Sequence, residues 1–264
     1  MRRITWLFAV FSVVLFFAGC SGINDDPTKD WSPEKLYKEA KDKVTDGDYE
    51  TGIKYFENLE ARYPYGRYSE QAQLEIAYAY YKYDEPALAI AAADRFIRQH
   101  PTHPNVDYAY YLKGLINFHG IRDLLNWLLG ARDDLSDRDP KAMHESYGAF
   151  RELVERFPNS RYADDARQRM IYLLDAQARY EIKVARFYYD HGAYVAAVNR
   201  SRYALENYPR TAATEDALGI QALAYKKMGM DKLADDTLRV LKQNFPNSRY
   251  LNEVRDTRAE IREK

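Results

Sequence analysis

The chain has 264 residues, with 39 Lys and Arg against 40 Asp and Glu, for a formal net charge of −1. So even a balance excludes the global basic field that draws in nucleic acid. Hydrophobic residues at 46% and charged residues at 30% exclude disorder as the main state of the chain. The 24 tyrosines stand out, because tyrosine offers large contact area with a polar tip and suits interaction surfaces.

At the N-terminus Arg2 and Arg3 precede an apolar run from Ile4 to Phe17, followed by Ala18, Gly19 and Cys20. Positive charge, apolar stretch and small residues are the three parts of a secretory signal peptide. The run is shorter than the roughly 20 residues that span a bilayer as a helix, which favours a cleaved signal over a permanent anchor. Cys20 is the only cysteine, so no disulfide forms within the chain. Phe17-Ala18-Gly19-Cys20 resembles the bacterial lipobox, in which the cysteine sulfur is lipidated and becomes the mature N-terminus. The plainer alternative is an ordinary signal peptide with an incidental cysteine. Ser21 stands where an inner-membrane retention signal would resemble Asp, which by analogy implies sorting to the outer membrane. Ser21 to Asp30 is small and polar and reads as a flexible tether.

The body of the chain repeats. Pro64, Pro101, Pro158, Pro209 and Pro246 each follow an aromatic residue or histidine, at spacings of 37, 57, 51 and 37. The segment Phe157-Pro158-Asn159-Ser160-Arg161-Tyr162 recurs letter for letter as Phe245-Pro246-Asn247-Ser248-Arg249-Tyr250, and Tyr63-Pro64-Tyr65-Gly66-Arg67-Tyr68 is a looser copy. Proline ends a helix because it lacks an N–H and drives the preceding residue out of the α region. Ahead of the prolines, apolar positions recur at the helical period: Ile53, Phe56 and Leu59; Phe150, Leu153 and Val154; Leu238 and Leu241. Turn residues lie further upstream, at Gly47-Asp48, Asp84-Glu85-Pro86, Gly192 and Gly229, and another helical pattern precedes each turn. The spacing therefore predicts a unit of helix, tight turn, helix and proline stop.

This unit resembles the tetratricopeptide repeat. The small residue of its first helix falls at Ala40, Ala77, Gly114, Ala185 and Ala222, and that of its second at Gly52, Ala89, Ser146, Ala197 and Ala234. Small side chains let paired helices approach, and stacked units bury a core that no single unit could. The expected fold is all-α, a solenoid of five such repeats with an insertion in repeat three. Residues 1–19 form the signal peptide, 20–31 the lipidated Cys20 and tether, 32–160 repeats one to three, 161–250 repeats four and five, and 251–264 a charged capping helix or tail. The insertion, between Phe118 and Met143, carries Ile121, Leu124, Leu125, Trp127, Leu128 and Leu129. It reads either as core folded back on the repeats or as a surface for a partner or lipid. The first helix of repeat four is long, from Tyr162 to Tyr189, and would join the two groups of repeats.

Over residues 17 to 250 the chain resembles the BamD family, the tetratricopeptide lipoprotein of the outer-membrane β-barrel assembly machinery. The resemblance rests on Phe17-Ala18-Gly19-Cys20-Ser21, Tyr78-Ala79-Tyr80-Tyr81-Lys82, Asp94-Arg95-Phe96-Ile97-Arg98, Pro101-Thr102-His103-Pro104-Asn105, Ser136-Asp137-Arg138-Asp139-Pro140 and Val198-Asn199-Arg200. It implies a lipid-anchored scaffold on the periplasmic face of the outer membrane. Its implied partners are the barrel-forming subunit, through that subunit's periplasmic transport domains, accessory outer-membrane lipoproteins, and unfolded outer-membrane proteins recognised through an extended, aromatic-ended C-terminal segment. Mapped onto the repeat register, a substrate groove on the first helices would be lined by Tyr37, Leu74, Tyr78, Tyr81, Tyr108 and Tyr111; the alternative is that these aromatics are core. Asn199 and Arg200 would face the barrel subunit, Arg200 through a charge-assisted pair with an acidic residue; the alternative for Arg200 is a solvated surface position.

No catalytic or metal-binding constellation is expected, and no cofactor. His100 and His103 have ligand-like spacing but sit among prolines, which reads as a turn. His144-Glu145 lacks the second histidine of a zinc-protease helix, His119 and His191 stand alone, and the glycines form no phosphate loop. Two rivals stand beside this reading: within the binding class, a periplasmic scaffold that coordinates cell-wall enzymes, and in a membrane-active class, a protein that inserts the Trp127 segment into lipid.

Overall fold

The computed structural model describes residues 26–118 and 140–255. Cys20, the signal peptide, His119, the apolar insertion around Trp127 and most of the C-terminal tail lie outside the described residues. Ten helices fall within them: α1 (Pro33–Thr45), α2 (Tyr49–Arg62), α3 (Arg67–Lys82), α4 (Pro86–Gln99), α5 (Val106–Phe118), α6 (Pro140–Arg156), α7 (Ala163–Asp190), α8 (Tyr194–Asn207), α9 (Ala213–Lys227) and α10 (Asp231–Asn244). Short turns join α1 to α2, α3 to α4, α7 to α8 and α9 to α10, at the turn residues that the sequence predicts. The chain divides into two compact units, Met1–Ala72 and Gln73–Lys264, at a point inside α3.

The turns explain why each pair folds back. Gly47, Gly192 and Gly229 take φ of 86°, 76° and 70°, and Asp84 holds the equivalent left-handed seat at 62°. Glycine occupies that conformation at no steric cost, whereas a Cβ is penalised there, least for Asp and Asn. The stops are equally regular. Tyr63, His100, Tyr208 and Phe245, each before a proline, leave the helix with φ between −129° and −134° and ψ between 51° and 71°.

In the first unit, α1 packs against α2. Leu36, Ala40 and Val44 on α1 meet Gly52, Ile53, Phe56 and Leu59 on α2 as the buried faces. A Cβ on Gly52 would come within 2.6 Å of a Val44 methyl, so the close approach requires glycine. The tether expectation is corrected over residues 26–31. Thr28 is fully buried, Asp26 and the Thr28 carbonyl accept from the Arg62 guanidinium, Asn58 donates to Thr28 Oγ1, and the Tyr63 hydroxyl donates to the Trp31 carbonyl at 3.0 Å. Arg62 is a residue the tether reading did not weigh, and it ties this polar stretch to α2.

In the second unit, helices pack in chain order from α4 through α10, and α9 also packs on α7, so a first helix touches the first helix of its neighbour. The small residues at the repeat positions, Ala77, Ala89, Ser146, Ala185, Ala197, Ala222 and Ala234, are all fully buried. Gly114 is the tightest seat of repeat three: an added Cβ would lie 2.3 Å from the Phe150 ring, and Ser146 Oγ donates to the Gly114 carbonyl at 2.9 Å. Residues 250–255 are helical and not merely a solvated tail, since Tyr250 and Val254 are buried at 1% exposure each.

The close-packed seat and the left-handed seat should respond oppositely to substitution. Gly114→Ala forces the Phe150 ring to move and is expected to cost about 1–3 kcal/mol by overpacking. Asp84→Gly relieves a left-handed Cβ and should stabilise by about 0.5–1 kcal/mol. Denaturant unfolding of the two variants checks both signs. Arg62→Ala should leave the helices intact while opening residues 26–31 to limited proteolysis.

Candidate functional site

The first helices of repeats two, three and four (α3, α5 and α7) bring a group of tyrosines together in the second unit. Tyr108 and Tyr111 project one helical turn apart from α5, and Tyr162, at the start of α7, lies against both. The Tyr111 and Tyr162 rings stack with centroids 4.7 Å apart, and Tyr108 meets Tyr162 at 5.4 Å. Tyr78 and Tyr81 of α3 border Tyr108. Burial first, then Tyr78, Glu75, Tyr162 and Tyr81 around it, push the Tyr108 hydroxyl far above the ordinary tyrosine range. Burial likewise raises Tyr81. All five tyrosines remain half-buried, presenting ring surface while their bodies pack.

A charged clamp closes one side. Tyr111 donates its hydroxyl to Asp165 Oδ2 at 2.6 Å, and Arg169 Nε donates to the same oxygen at 2.6 Å while Nη2 reaches Oδ1 at 3.4 Å. The Arg169 guanidinium lies 4.9 Å above the Phe118 ring, and Phe118 meets Tyr172 at 6.0 Å. Burial and the Asp165 hydrogen bond raise Tyr111 to about 12. The face can therefore stack aromatic side chains and offer both hydrogen-bond donors and acceptors to a peptide backbone.

The six positions expected in the groove do not all lie there. Tyr78, Tyr81, Tyr108 and Tyr111 come together. Leu74 is a correction: at 5% exposure it belongs to the core with Phe96, Val106 and Tyr110 and offers no surface to a ligand. It stands three residues before Ala77, as Tyr111 stands three before Gly114 and Gly219 three before Ala222. At this register position the following element packs down. Tyr37, three before Ala40, belongs to the first unit, where it sits against Phe56 and Tyr68, each at 5.6 Å. Tyr162, Asp165 and Arg169 were missed. The signal for Tyr162 was present in the repeated Phe-Pro-Asn-Ser-Arg-Tyr segment, since its second copy ends in Tyr250. Tyr250 rests on Gly219, where an added Cβ would come within 2.2 Å of the ring, and it is held by Asp216, Arg249 and Arg186.

Asn199 and Arg200 are both exposed on α8. Arg200 is not merely solvated: its Nη1 donates to Glu181 Oε2 of α7 at 3.0 Å. The histidine pair is a turn, as its prolines imply: His100 caps α4 and its ring and that of His103 both meet Phe96 at 5.2 Å. Among the described residues no group of three or more His, Cys, Asp or Glu could hold a metal ion.

Paired helices seated on small residues, proline stops at the end of each pair and contacts between successive first helices define a tetratricopeptide-type scaffold with an aromatic first-helix face. A family model described as outer membrane lipoprotein (YfiO) matches residues 29–241. The chain is 52% identical over 226 residues to the outer membrane protein assembly factor BamD of Neisseria meningitidis serogroup B, covering 86% of this chain and 84% of that protein. It is 38% identical over 226 residues to BamD of Vibrio cholerae, covering 86% and 92%. The solved structure of the MamA protein superposes loosely, with a TM-score of 0.30 and 19% identity over 80% of this chain and 90% of that one. The chain belongs to the BamD (YfiO) family of outer membrane lipoproteins.

The raised tyrosines make stability fall in alkali. Tyr111 binds its proton more tightly folded, at about 12, than at the ordinary 10.0, so its contribution is complete below pH 10 and is lost as pH rises toward 12. Denaturant midpoints measured across that range should decline, and tyrosinate absorbance should lag that of free tyrosine. Tyr111→Phe should flatten part of the decline.

Proposed function

We propose that this chain is an outer membrane protein assembly factor that works as a non-catalytic scaffold, lipidated on Cys20 and held on the periplasmic face of the outer membrane. Among the described residues no helix is long and apolar enough to cross a membrane, and the lipobox-like Phe17-Ala18-Gly19-Cys20 supports anchoring by acyl chains. Its partners are the barrel-forming subunit of the assembly machinery, accessory lipoproteins, and unfolded outer-membrane proteins. The family membership supports this role over the coordination of cell-wall enzymes.

The observation that carries the substrate reading is the tyrosine face formed by Tyr78, Tyr81, Tyr108, Tyr111 and Tyr162 with Arg169 and Asp165 at its side. Extended, aromatic-ended segments suit such a face, because stacking rewards ring contact while hydroxyls and carboxylate meet the backbone. Asn199 and Arg200 offer a separate polar contact on α8 for the barrel subunit.

The test is binding of a fluorescent peptide carrying the C-terminal aromatic segment of an outer-membrane barrel protein. Tyr108→Ala should weaken it by about thirtyfold, in line with the loss of a well-packed aromatic anchor of about 2 kcal/mol. Tyr65→Ala, at a residue 92% exposed in the first unit, should not. Equal affinity for wild type and Tyr108→Ala would remove the groove reading. Purification of tagged full-length protein from its own envelope tests the rest: recovery of the barrel subunit supports it, and recovery of peptidoglycan enzymes alone contradicts it.

A further inference from the structure

Glu181 is a buried acidic residue. It lies on α7 with 8% of its surface exposed, and the buried residues that α8 contributes are Ala197, Val198, Ser201 and Ala204, none of them charged. Arg200 supplies its hydrogen-bonded countercharge, through Nη1 alone. The two partners are unequal. The Arg200 side chain is 44% exposed, whereas that of Glu181 is 10% exposed. One end of the pair is thus fixed inside, and the other is open to exchange.

Beside Arg200 the outer side of α8 shows Asn199 exposed, with Val195 64% and Tyr203 40% exposed. Val195, Asn199 and Tyr203 recur at four-residue steps and so share one stripe of the helix. An acidic group approaching this stripe meets a guanidinium whose charge Glu181 already neutralises. To bind Arg200 it must either displace Glu181, leaving a buried carboxylate without its cation, or share the guanidinium with a second negative charge nearby. Both routes are unfavourable, and both originate in Glu181.

We propose that Glu181 is an internal competitor for Arg200, a positioning residue that holds down the affinity of the α8 face for an acidic partner group and keeps that contact exchangeable. The proposal rests on the reading that Arg200 meets an acidic residue of the barrel-forming subunit. Its sign separates it from a structural role. A residue that merely supports the helix pair lowers binding when changed, whereas a competitor raises it.

The experiment measures binding of full-length protein in detergent to the purified periplasmic domains of the barrel-forming subunit from the same organism, at two or more salt concentrations. Glu181→Gln should bind about five- to tenfold tighter than wild type, the range for unmasking one charged hydrogen bond, with a steeper loss of affinity as salt rises. Arg200→Ala should bind more weakly, and the double variant should match Arg200→Ala because the gain runs through Arg200. Should Glu181→Gln not fold, Glu181→Met, of similar volume and neutral, carries the same expectation. Equal binding by Arg200→Ala and wild type would overturn the contact reading itself. Weaker binding by Arg200→Ala together with unchanged or weaker binding by the neutral Glu181 variants would overturn the competition alone.

Discussion

The close approach of paired helices governs the rest of this molecule. Gly52 beneath Val44, and Gly114 beneath Phe150, leave no room for a Cβ. Ala77, Ala89, Ala185, Ala197, Ala222 and Ala234 occupy the equivalent seats fully buried. With the helices this close, the bulky residues of each first helix are pushed toward the neighbouring repeat or outward. Aromatic side chains thereby concentrate along a shared face, where packing alone does not use all of their surface.

One motif shows how a single substitution at a fixed register decides between core and surface. The Arg-Tyr ending recurs at Arg67-Tyr68, Arg161-Tyr162 and Arg249-Tyr250, and in all three the guanidinium lies over the neighbouring ring, at 4.8, 4.7 and 4.9 Å. The tyrosine then lands three residues before the small seat of the preceding first helix. In repeat five that position is Gly219, and Tyr250 sinks to 1% exposure. In repeat three it is Tyr111, so Tyr162 stacks on top and stays half-exposed beside Tyr108. The candidate groove exists where glycine gives way to tyrosine.

Much of the fold was legible because it rests on local rules. Prolines 64, 101, 158, 209 and 246 and the left-handed Gly47, Gly192 and Gly229 need no distant partner to act, and the long helix expected from Tyr162 to Tyr189 spans Ala163–Asp190. What escaped depends on contacts between segments far apart in sequence. Residues 26–31 look like tether by composition, and Arg62, Asn58 and Tyr63, some thirty residues on, turn them into folded structure. Leu74 shares a helix with Tyr78 and Tyr81, but its place three before Ala77 puts it in the core. Arg200 reads as a surface charge until Glu181 is seen beneath it. In each case the periodicity located the helix correctly and left undecided which side chain a neighbouring repeat would cover.

The central claim is that the tyrosine face of α3, α5 and α7 receives unfolded outer-membrane proteins. It is tested most directly by placing a photo-crosslinking amino acid at position 81 of the full-length protein in its native envelope, with a parallel variant at position 240. Val240 is 44% exposed on α10, a helix of repeat five that contributes nothing to the face. Newly exported barrel proteins captured at 81 and not at 240 are the predicted result. Capture at 240 with none at 81 would contradict the account.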